Sequence, residues 1–212
     1  MKVIVIGGTG TIGSAVVNAL QDHQVVSVGL SNGDFQVDIS DVNSLKSMYQ
    51  SVGDFDAVVC AAGDARFKPL DELSDEDFLF SLSQKLMGQV HVVRVGSQFA
   101  KPGVSFTLTS GVLASEPAPG GAAVSIVNAG IEAFGRAAAL ELKDKQIRVN
   151  TVSPPWISET LKAMGKDPSK GLPASTVAKA FADAVNNPSV NGQVIDARSY
   201  ATAELKSAAV LR

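Results

Sequence analysis

One stretch near the start of the chain decides its fold: Val3-Ile4-Val5-Ile6-Gly7-Gly8-Thr9-Gly10-Thr11-Ile12-Gly13. Its first four residues form a short apolar run without polar alternation, which is typical of a strand buried on both faces of a parallel sheet. Apolar residues then recur at spacings of three and four, from Ile12 through Val16 to Leu20, as they do along one face of a helix. The glycines therefore lie in a turn between a buried strand and a helix.

Three glycines in this turn are spaced three residues apart, and each suits a different task. Gly7 permits the sharp turn off the strand, Gly10 lets the backbone approach a ligand closely, and Gly13 lets the helix pack on the sheet. Free N–H groups at the start of a helix attract phosphate. We therefore predict that the pyrophosphate of a dinucleotide binds at Gly7, Gly8, Thr9, Gly10, Thr11, Ile12 and Gly13. No Gly-Lys-Ser/Thr follows the loop, which excludes the P-loop of nucleoside triphosphatases.

The rest of the chain alternates short apolar runs with segments of helical period. The predicted strands are Val3–Ile6, Val25–Val28, Ala57–Ala61, Ser105–Thr109, Arg148–Val152 and Gln193–Ile195. After the helix that follows the first strand, the predicted helices are Asp41–Ser51 with Ser40 as N-cap, Asp75–Phe99 opened by a capping box at Ser74, Ala122–Leu142, and about Ser175–Val185. Ser158–Pro173 is predicted to be a loop. This alternation predicts an α/β, three-layer, doubly wound Rossmann fold with a mostly parallel sheet, in a single domain over residues 1–212.

The connection after the second predicted strand is unusually short. Between Val28 and Asp38 there are too few residues for a crossover helix, because a parallel connection usually takes a dozen residues or more. We therefore expect the third strand of this arrangement to be short or missing.

Composition narrows the range of partners and sites. The formal net charge is −3, so there is no basic field to bind nucleic acid. No apolar run approaches the roughly 20 residues of a membrane span, and a strand that begins directly after Met1-Lys2 leaves no room for a signal peptide. Cys60 is the only cysteine, and His23 and His91 are far apart, so we expect no disulfide framework and no metal site. These observations favour a cytoplasmic protein.

Further segments share their motifs with one known family. They are Val37-Asp38-Ile39-Ser40, Cys60-Ala61-Ala62-Gly63, Thr109-Ser110-Gly111, Ile147-Arg148-Val149-Asn150-Thr151-Val152-Ser153-Pro154 and Gly192-Gln193-Val194-Ile195-Asp196. Together with the glycine loop, they resemble the short-chain dehydrogenase/reductase family over nearly the whole chain. The resemblance implies a nicotinamide cofactor, with Asp38 at the adenine ring. Besides the loop, the predicted cofactor-binding residues are Ser31, Asp38, Ile39, Ala61, Ala62, Gly63, Pro154 and Ile157.

The chain departs from this family at the residues that carry its chemistry. The family's Tyr-x-x-x-Lys aligns with Val124 and Asn128, and valine has no proton to give. The family's Asn-x-x-Gly on the preceding helix reads Lys85-Leu86-Met87-Gly88. The Asn and Lys positions are therefore exchanged between the two helices, whereas the catalytic serine position is kept as Ser110.

These residues define a catalytic hypothesis. Ser110 would hydrogen-bond the substrate oxygen, and Lys85, opposite Asn128, would supply a positive charge or, when desolvated, a proton. Lys85 must then reach the cavity beside the serine and lie within hydrogen-bond distance, directly or through one water, of Asn128 or Ser110. Each residue also has an interpretation without a catalytic role. Lys85 could be an exposed lysine on a helix, Asn128 a buried core asparagine, and Ser110 a serine that only ends its strand. Trp156 has two interpretations as well, a wall of the nicotinamide site or a buried anchor.

The choice between the two nicotinamide cofactors depends on the end of the second strand. An NAD site usually has an acidic residue there for the ribose 2′-hydroxyl. Gly29-Leu30-Ser31-Asn32 has neither an acid nor an arginine, and its small polar residues leave room for a 2′-phosphate, which favours NADP. NAD stays possible, because Asp34 could still reach the ribose.

The sequence thus favours an NAD(P)-dependent oxidoreductase acting on a small carbonyl or alcohol substrate. The alternative is an NAD(P)-binding sensor or regulatory protein without turnover, which the missing tyrosine favours. An isomerase or epimerase that retains its cofactor is a third, less favoured interpretation. The family resemblance also implies a homodimer or homotetramer, in which the two long helices pair across a two-fold axis.

Overall fold

The computed structural model describes residues 1–201 of the chain. Residues 202–212 of the predicted domain lie outside the described part. The described residues form alternating strands and helices from Lys2 onward, as the apolar runs and helical spacings predict.

Seven parallel strands form one twisted sheet. They are β1 (Lys2–Ile6), β2 (Gln24–Gly29), β3 (Phe35–Gln36), β4 (Ala57–Cys60), β5 (Ser105–Thr109), β6 (Arg148–Ser153) and β7 (Val194–Asp196). Their order in the sheet is β3-β2-β1-β4-β5-β6-β7. From β1 the chain first builds outward through β2 and β3, and then crosses to the other side through β4. The strand order therefore reverses between β1 and β4, and in such sheets ligands bind at the carboxyl edge near this reversal.

The third strand confirms the expectation drawn from its short connection. β3 has only two residues, and it pairs in parallel with the end of β2 through Val28–Phe35 and Gly29–Gln36. No helix separates β2 from β3, since the chain turns directly at the carboxyl edge of the sheet.

Helices cover both faces of the sheet. They are α1 (Thr11–Ala19), α2 (Val42–Val52), α3 (Asp75–Ser81), α4 (Gly88–Gly96), α5 (Ala122–Glu141), α6 (Ser158–Ala163) and α7 (Ala174–Asn186). One apolar cluster lies between the sheet and α2, α4 and α5, where Tyr49, Phe106 and Ile131 are fully buried. A second lies between the opposite face and α1 and α7, around Val16 and Phe181. The three-layer, doubly wound Rossmann fold is confirmed.

The structure corrects three local predictions. The helix predicted over Asp75–Phe99 begins at its capping box as expected, but it is interrupted by a π-helical segment at Leu82–Met87 and ends at Gly96. Asp41, not Ser40, caps α2, because the Asp41 carboxylate accepts a hydrogen bond from the Asn43 N–H. The segment predicted as a loop contains α6, whose Leu161 side chain is buried in the core.

By length and apolar composition alone, the helix α5 meets the criteria for a membrane-spanning helix. In this fold it lies against β5 and β6, and its small residues allow a close approach. A Cβ on Gly135, for example, would come within 2.5 Å of the Thr151 hydroxyl oxygen. Packing against the sheet thus accounts for the small residues of its buried face, whereas Ile126 and Leu140 are exposed.

Candidate functional site

The glycine loop, residues 7–13, turns tightly where β1 ends. Gly7 has a φ of +83°, and a Cβ there would come within 2.7 Å of the Ala61 carbonyl oxygen. A Cβ on Gly13 would lie only 1.9 Å from the Gly7 carbonyl oxygen, so the start of α1 packs directly on the turn. At Gly10, in contrast, a Cβ would meet only the Gly7 carbonyl oxygen, at 3.3 Å. Two of the glycines are therefore required by the fold, and the third leaves space above the loop.

The loop presents unused backbone donors at the carboxyl edge of the sheet. The N–H groups of Gly7 and Gly8 both donate to the Val28 carbonyl and so attach the loop to β2. The first bond of α1 runs from the Ser14 N–H to the Gly10 carbonyl. Within residues 1–201, no hydrogen bond uses the N–H groups of the first three helical residues, Thr11, Ile12 and Gly13. Unpaired donors at a helix N-terminus suit a phosphate group.

A cavity of about 300 Å³ opens beside this loop, and we call it the main cavity. It brings together residues from six separate parts of the chain, and its walls are mostly apolar. Nine of the sequence-predicted site residues line it: Ile12, Ala61, Ala62, Gly63, Lys85, Ser110, Asn128, Pro154 and Ile157. The exchanged pair and the serine thus share one cavity, as the catalytic hypothesis requires. Trp156 also lines the cavity, which agrees with its interpretation as a wall.

Lys85 enters this cavity from the π-helical segment. Its stem passes over Gly63, where an added Cβ would lie 2.9 Å from the Lys85 Cγ, so only glycine leaves room for it. A Cβ on Gly88, one turn further on, would collide with the Ile39 side chain, so this glycine makes room for Ile39 and not for Lys85. π-Helical turns are rare and often mark functional positions. Here the wider turn lies where the lysine is presented to the cavity.

The Lys85 ammonium group is enclosed without a close partner. No hydrogen bond or ion pair of the described residues involves it, so the direct hydrogen bond to Asn128 or Ser110 that the sequence allowed is not formed. Burial lowers the pKa of Lys85 to about 8, although the Asp64 carboxylate and the Cys60 side chain oppose this shift. Near neutral pH the lysine is therefore a poorly solvated acid close to its own titration point.

Ser110 lies at the end of β5 and is buried. Its hydroxyl donates to the Glu132 carboxylate, with 2.9 Å between Oγ and Oε1. Glu132 comes from α5, one turn after Asn128. The sequence reasoning missed this residue, although its spacing of four from Asn128 places both side chains on one face of the helix.

Asn128 is 98% buried, and its amide group is held weakly. Nδ2 lies 3.5 Å from the Gly111 carbonyl oxygen, and Oδ1 has no hydrogen-bond partner within residues 1–201. Val124 lines the same cavity one turn earlier and offers only an apolar surface. The helix that carries the proton donor in related motifs thus presents an amide and a methyl surface here.

A second cavity, of about 250 Å³, lies on the other side of the loop, and we call it the side cavity. It shares Ala62 and Gly63 with the main cavity, so the two form one crevice along the carboxyl edge of the sheet. Asp38 and Ile39 line it together with Gly7. The Asp38 carboxylate accepts hydrogen bonds from the Ser40 N–H and hydroxyl through Oδ1. Gln84, which also lines this cavity, gave no sequence signal.

The turn after β2 bears on which nucleotide fits. Gly29 and Leu30 line the side cavity, whereas Ser31 is exposed and lines neither cavity. Asp34 lines neither cavity, and its carboxylate accepts a hydrogen bond from the Ser27 N–H at 2.8 Å. The acid that the sequence left as a possible partner of the ribose hydroxyl, Asp34, is thus bonded to the β2 backbone.

Comparison with known proteins finds similarity over most of the chain. A family profile described as Enoyl-(Acyl carrier protein) reductase matches residues 11–195. The chain is 30% identical over 150 residues to a hydroxynaphthalene reductase of Aspergillus fumigatus, in a match that covers 69% of this chain and 53% of that protein. It therefore spans about half of that relative's length. It is also 30% identical over 208 residues to a short-chain dehydrogenase/reductase of Stachybotrys chlorohalonatus, covering 84% of this chain and 80% of that one.

Solved structures with the same fold include two of similar length. The protein lin1944 from Listeria innocua is 37% identical, with a TM-score of 0.86 over 92% of this chain and 98% of that one. A small-chain dehydrogenase in complex with NADPH is 27% identical, with a TM-score of 0.79 over 92% of this chain and 95% of that one.

Proposed function

Since the chain belongs to the short-chain dehydrogenase/reductase family, we propose that it is an NADP-dependent oxidoreductase acting on a small carbonyl or alcohol substrate. The observation that carries this proposal is the lysine in the main cavity. Lys85 projects without a close partner into an apolar space that adjoins the glycine loop and Ser110. Such a positively charged hydrogen-bond donor can stabilise a substrate oxygen that gains negative charge during reduction.

The residues present fit a dinucleotide along the crevice. The loop offers its unpaired N–H groups to the pyrophosphate, Asp38 and Ile39 border the space for the adenosine half, and Ala61, Pro154 and Ile157 border the space for the nicotinamide half. When bound, the nicotinamide supplies or accepts a hydride. A solved relative holds NADPH, and the two residues of the turn after β2 that line the side cavity, Gly29 and Leu30, include no acid, although Asp38 and Asp64 line it elsewhere. NADP is therefore the proposed form, with NAD as the alternative.

Side chains of the main cavity then supply the proton, the substrate contacts and the exclusion of water. Lys85 donates a hydrogen bond, and finally a proton, to the substrate oxygen, in the place of the tyrosine that Val124 cannot supply. Ser110 borders the same space and contacts the substrate through its hydroxyl oxygen. The apolar walls from Val112, Leu113 and Trp156 exclude water and hold a small apolar substrate.

The proposal is tested by binding and by turnover in the same preparation. Calorimetric titration with NADPH and NADH is expected to show binding, tighter for NADPH. A panel of small ketones and aldehydes, including cyclohexanone, is expected to contain at least one compound that oxidises NADPH. Tight nucleotide binding without oxidation by any carbonyl compound would favour the sensor or regulatory alternative. Binding of neither nucleotide would contradict both.

We further propose that the chain forms a homodimer or homotetramer through α3, α4 and α5. Large apolar side chains are exposed on these helices: Leu79 on α3, and Ile126 and Leu140 on α5. Exposed large apolar side chains on neighbouring helices support a subunit contact there. Light scattering at micromolar concentration is expected to give a multiple of the mass of one chain, and the mass of one chain would contradict the proposal.

A further inference from the structure

Glu132 lies directly behind the serine of the main cavity. Oγ of Ser110 is 2.9 Å from Oε1 of Glu132 and 3.4 Å from the Val152 carbonyl oxygen. Both neighbours are hydrogen-bond acceptors. The neighbours of the serine hydroxyl within the protein can therefore only accept a hydrogen bond from it.

A hydroxyl group has one proton and two lone pairs. Hydrogen bonds to an ionised carboxylate are about twice as strong as those between neutral groups, so the Ser110 proton is directed to Glu132. What Ser110 offers to the main cavity is then its lone pairs. A carbonyl oxygen receives no hydrogen bond from such a serine, whereas a substrate hydroxyl can donate one to it.

Lys85 supplies the opposite polarity from the other side of the same cavity. Its ammonium group can only donate, and none of the described residues uses these donors. The cavity therefore contains a donor from the π-helical segment and an acceptor at the end of β5. A substrate with an acceptor oxygen and a hydroxyl group satisfies both.

Resting on the proposed oxidoreductase function, we propose that Glu132 is a positioning residue that commits Ser110 to accept a hydrogen bond. The serine consequently recognises a hydroxyl group, either the alcohol form of the substrate or a hydroxyl beside the reacting carbonyl. The carbonyl oxygen is left to Lys85. The substrate class that follows is hydroxylated carbonyl compounds and their alcohols.

The first test examines the hydrogen bond itself and needs neither cofactor nor turnover. In the isotope-labelled chain, the hydroxyl proton of Ser110 is expected to exchange slowly enough to give an NMR signal. The signal should vanish in Ser110→Ala and in Glu132→Leu, and persist in Glu132→Gln, because the glutamine carbonyl still accepts. Absence of the signal in the unaltered chain would overturn the proposal.

The second test measures the preference for a hydroxyl group, with cyclohexanol and cyclohexanone as probes. NMR titration without nucleotide, which leaves both probes unreacted, is expected to show tighter binding of the alcohol. Glu132→Leu frees the serine proton and should shift the ratio of the two affinities toward the ketone by about tenfold, the worth of one hydrogen bond. Ser110→Ala should remove the effect of Glu132→Leu.

A merely structural role for Glu132 predicts a different pattern. Glu132→Leu would then lower the melting temperature and weaken both probes equally, and an unchanged ratio would refute the proposal. Glu132→Gln keeps the test valid if the leucine variant does not fold, since it should retain most of the preference. If the Ser110 signal and the preference are present but no carbonyl compound is reduced, the oxidoreductase function fails while the role of Glu132 stands.

Discussion

The glycine loop and a side-chain corner, made of Lys85, Ser110 and Asn128 in the main cavity with Glu132 behind the serine, lie at the same edge of the sheet, but they are built differently. The loop is seven consecutive residues, held by hydrogen bonds to the adjacent β2 and by contact with the start of its own helix. The four residues of the corner come from a π-helical segment, the end of β5 and one face of α5.

This difference predicts which substitutions should impair each site. Under the proposed function, backbone N–H groups of the loop bind the nucleotide, so substitutions there act mainly by adding side chains that block its approach. In the corner, the proposed function depends on side-chain charge and proton position, and these depend on burial within a cavity shared by three elements. Substitutions in the two regions should therefore separate affinity for the nucleotide from turnover.

The largest effect is expected from Lys85→Met, which keeps the length of the side chain and removes its charge. Turnover of a carbonyl substrate should fall by roughly 10²–10⁴-fold, the usual contribution of a positioned proton donor. Affinity for NADPH should change little, because the loop is untouched. Steady-state kinetics and calorimetric titration of the same protein measure the two effects.

Lys46→Met on the exposed surface of α2 is the matched control and should leave both quantities unchanged. The melting temperature of Lys85→Met should be unchanged or raised, since a buried charge is removed. Equal losses of affinity and turnover in Lys85→Met would mean that the corner and the loop do not act separately.

An intermediate effect is expected from two glycines of the loop, which should respond in opposite ways. Gly13→Ala places a Cβ against the Gly7 carbonyl oxygen and should destabilise the fold by about 1–3 kcal/mol or more, seen as a melting temperature lower by several degrees. Gly10→Val has space within the protein and an ordinary backbone conformation, so it should fold normally. Its affinity for NADPH should nevertheless drop by about tenfold or more, because the side chain occupies the approach of the pyrophosphate.

Differential scanning calorimetry and nucleotide titration distinguish the two variants. A Gly10→Val protein that folds and binds NADPH as tightly as the unaltered chain would show that the phosphates bind elsewhere.

The smallest effect concerns pH. Under the proposed mechanism the protonated form of Lys85 is the donor, so carbonyl reduction should be level well below its pKa of about 8, fall to about half of that level at pH 8 and decrease by about a further fivefold between pH 8 and pH 9. The unfolded chain holds this proton more tightly than the folded one, because the ordinary lysine pKa of 10.5 lies above the folded value. The free energy of unfolding should therefore rise with pH between about 8 and 10.5. Rate profiles and denaturation curves measured across this range should lose both trends in Lys85→Met.

The sequence by itself determined the layout of the molecule. Apolar runs mark buried parallel strands because both faces of such a sheet are covered, and the short segment after Val28 limits β3 to two residues because no crossover helix can fit. The turn that holds the glycine loop was predictable as well, since the apolar run, the three glycines and the helical spacing that define it are adjacent in the sequence. Motif alignment also indicated that Lys85, Ser110 and Asn128 belong together.

Only the tertiary structure decided how those three residues are arranged. The π-helical turn at Leu82–Met87 has no signature in the spacing of apolar residues. In the folded chain it lies next to Gly63, which leaves room for the Lys85 stem. Glu132 became the partner of Ser110 because α5 packs over the end of β5, 22 residues away in the chain. Burial of Lys85, and with it a pKa of about 8, depends on walls contributed by distant segments. Local patterns specify elements, whereas proton positions and desolvation are properties of surroundings that exist only after the elements have packed.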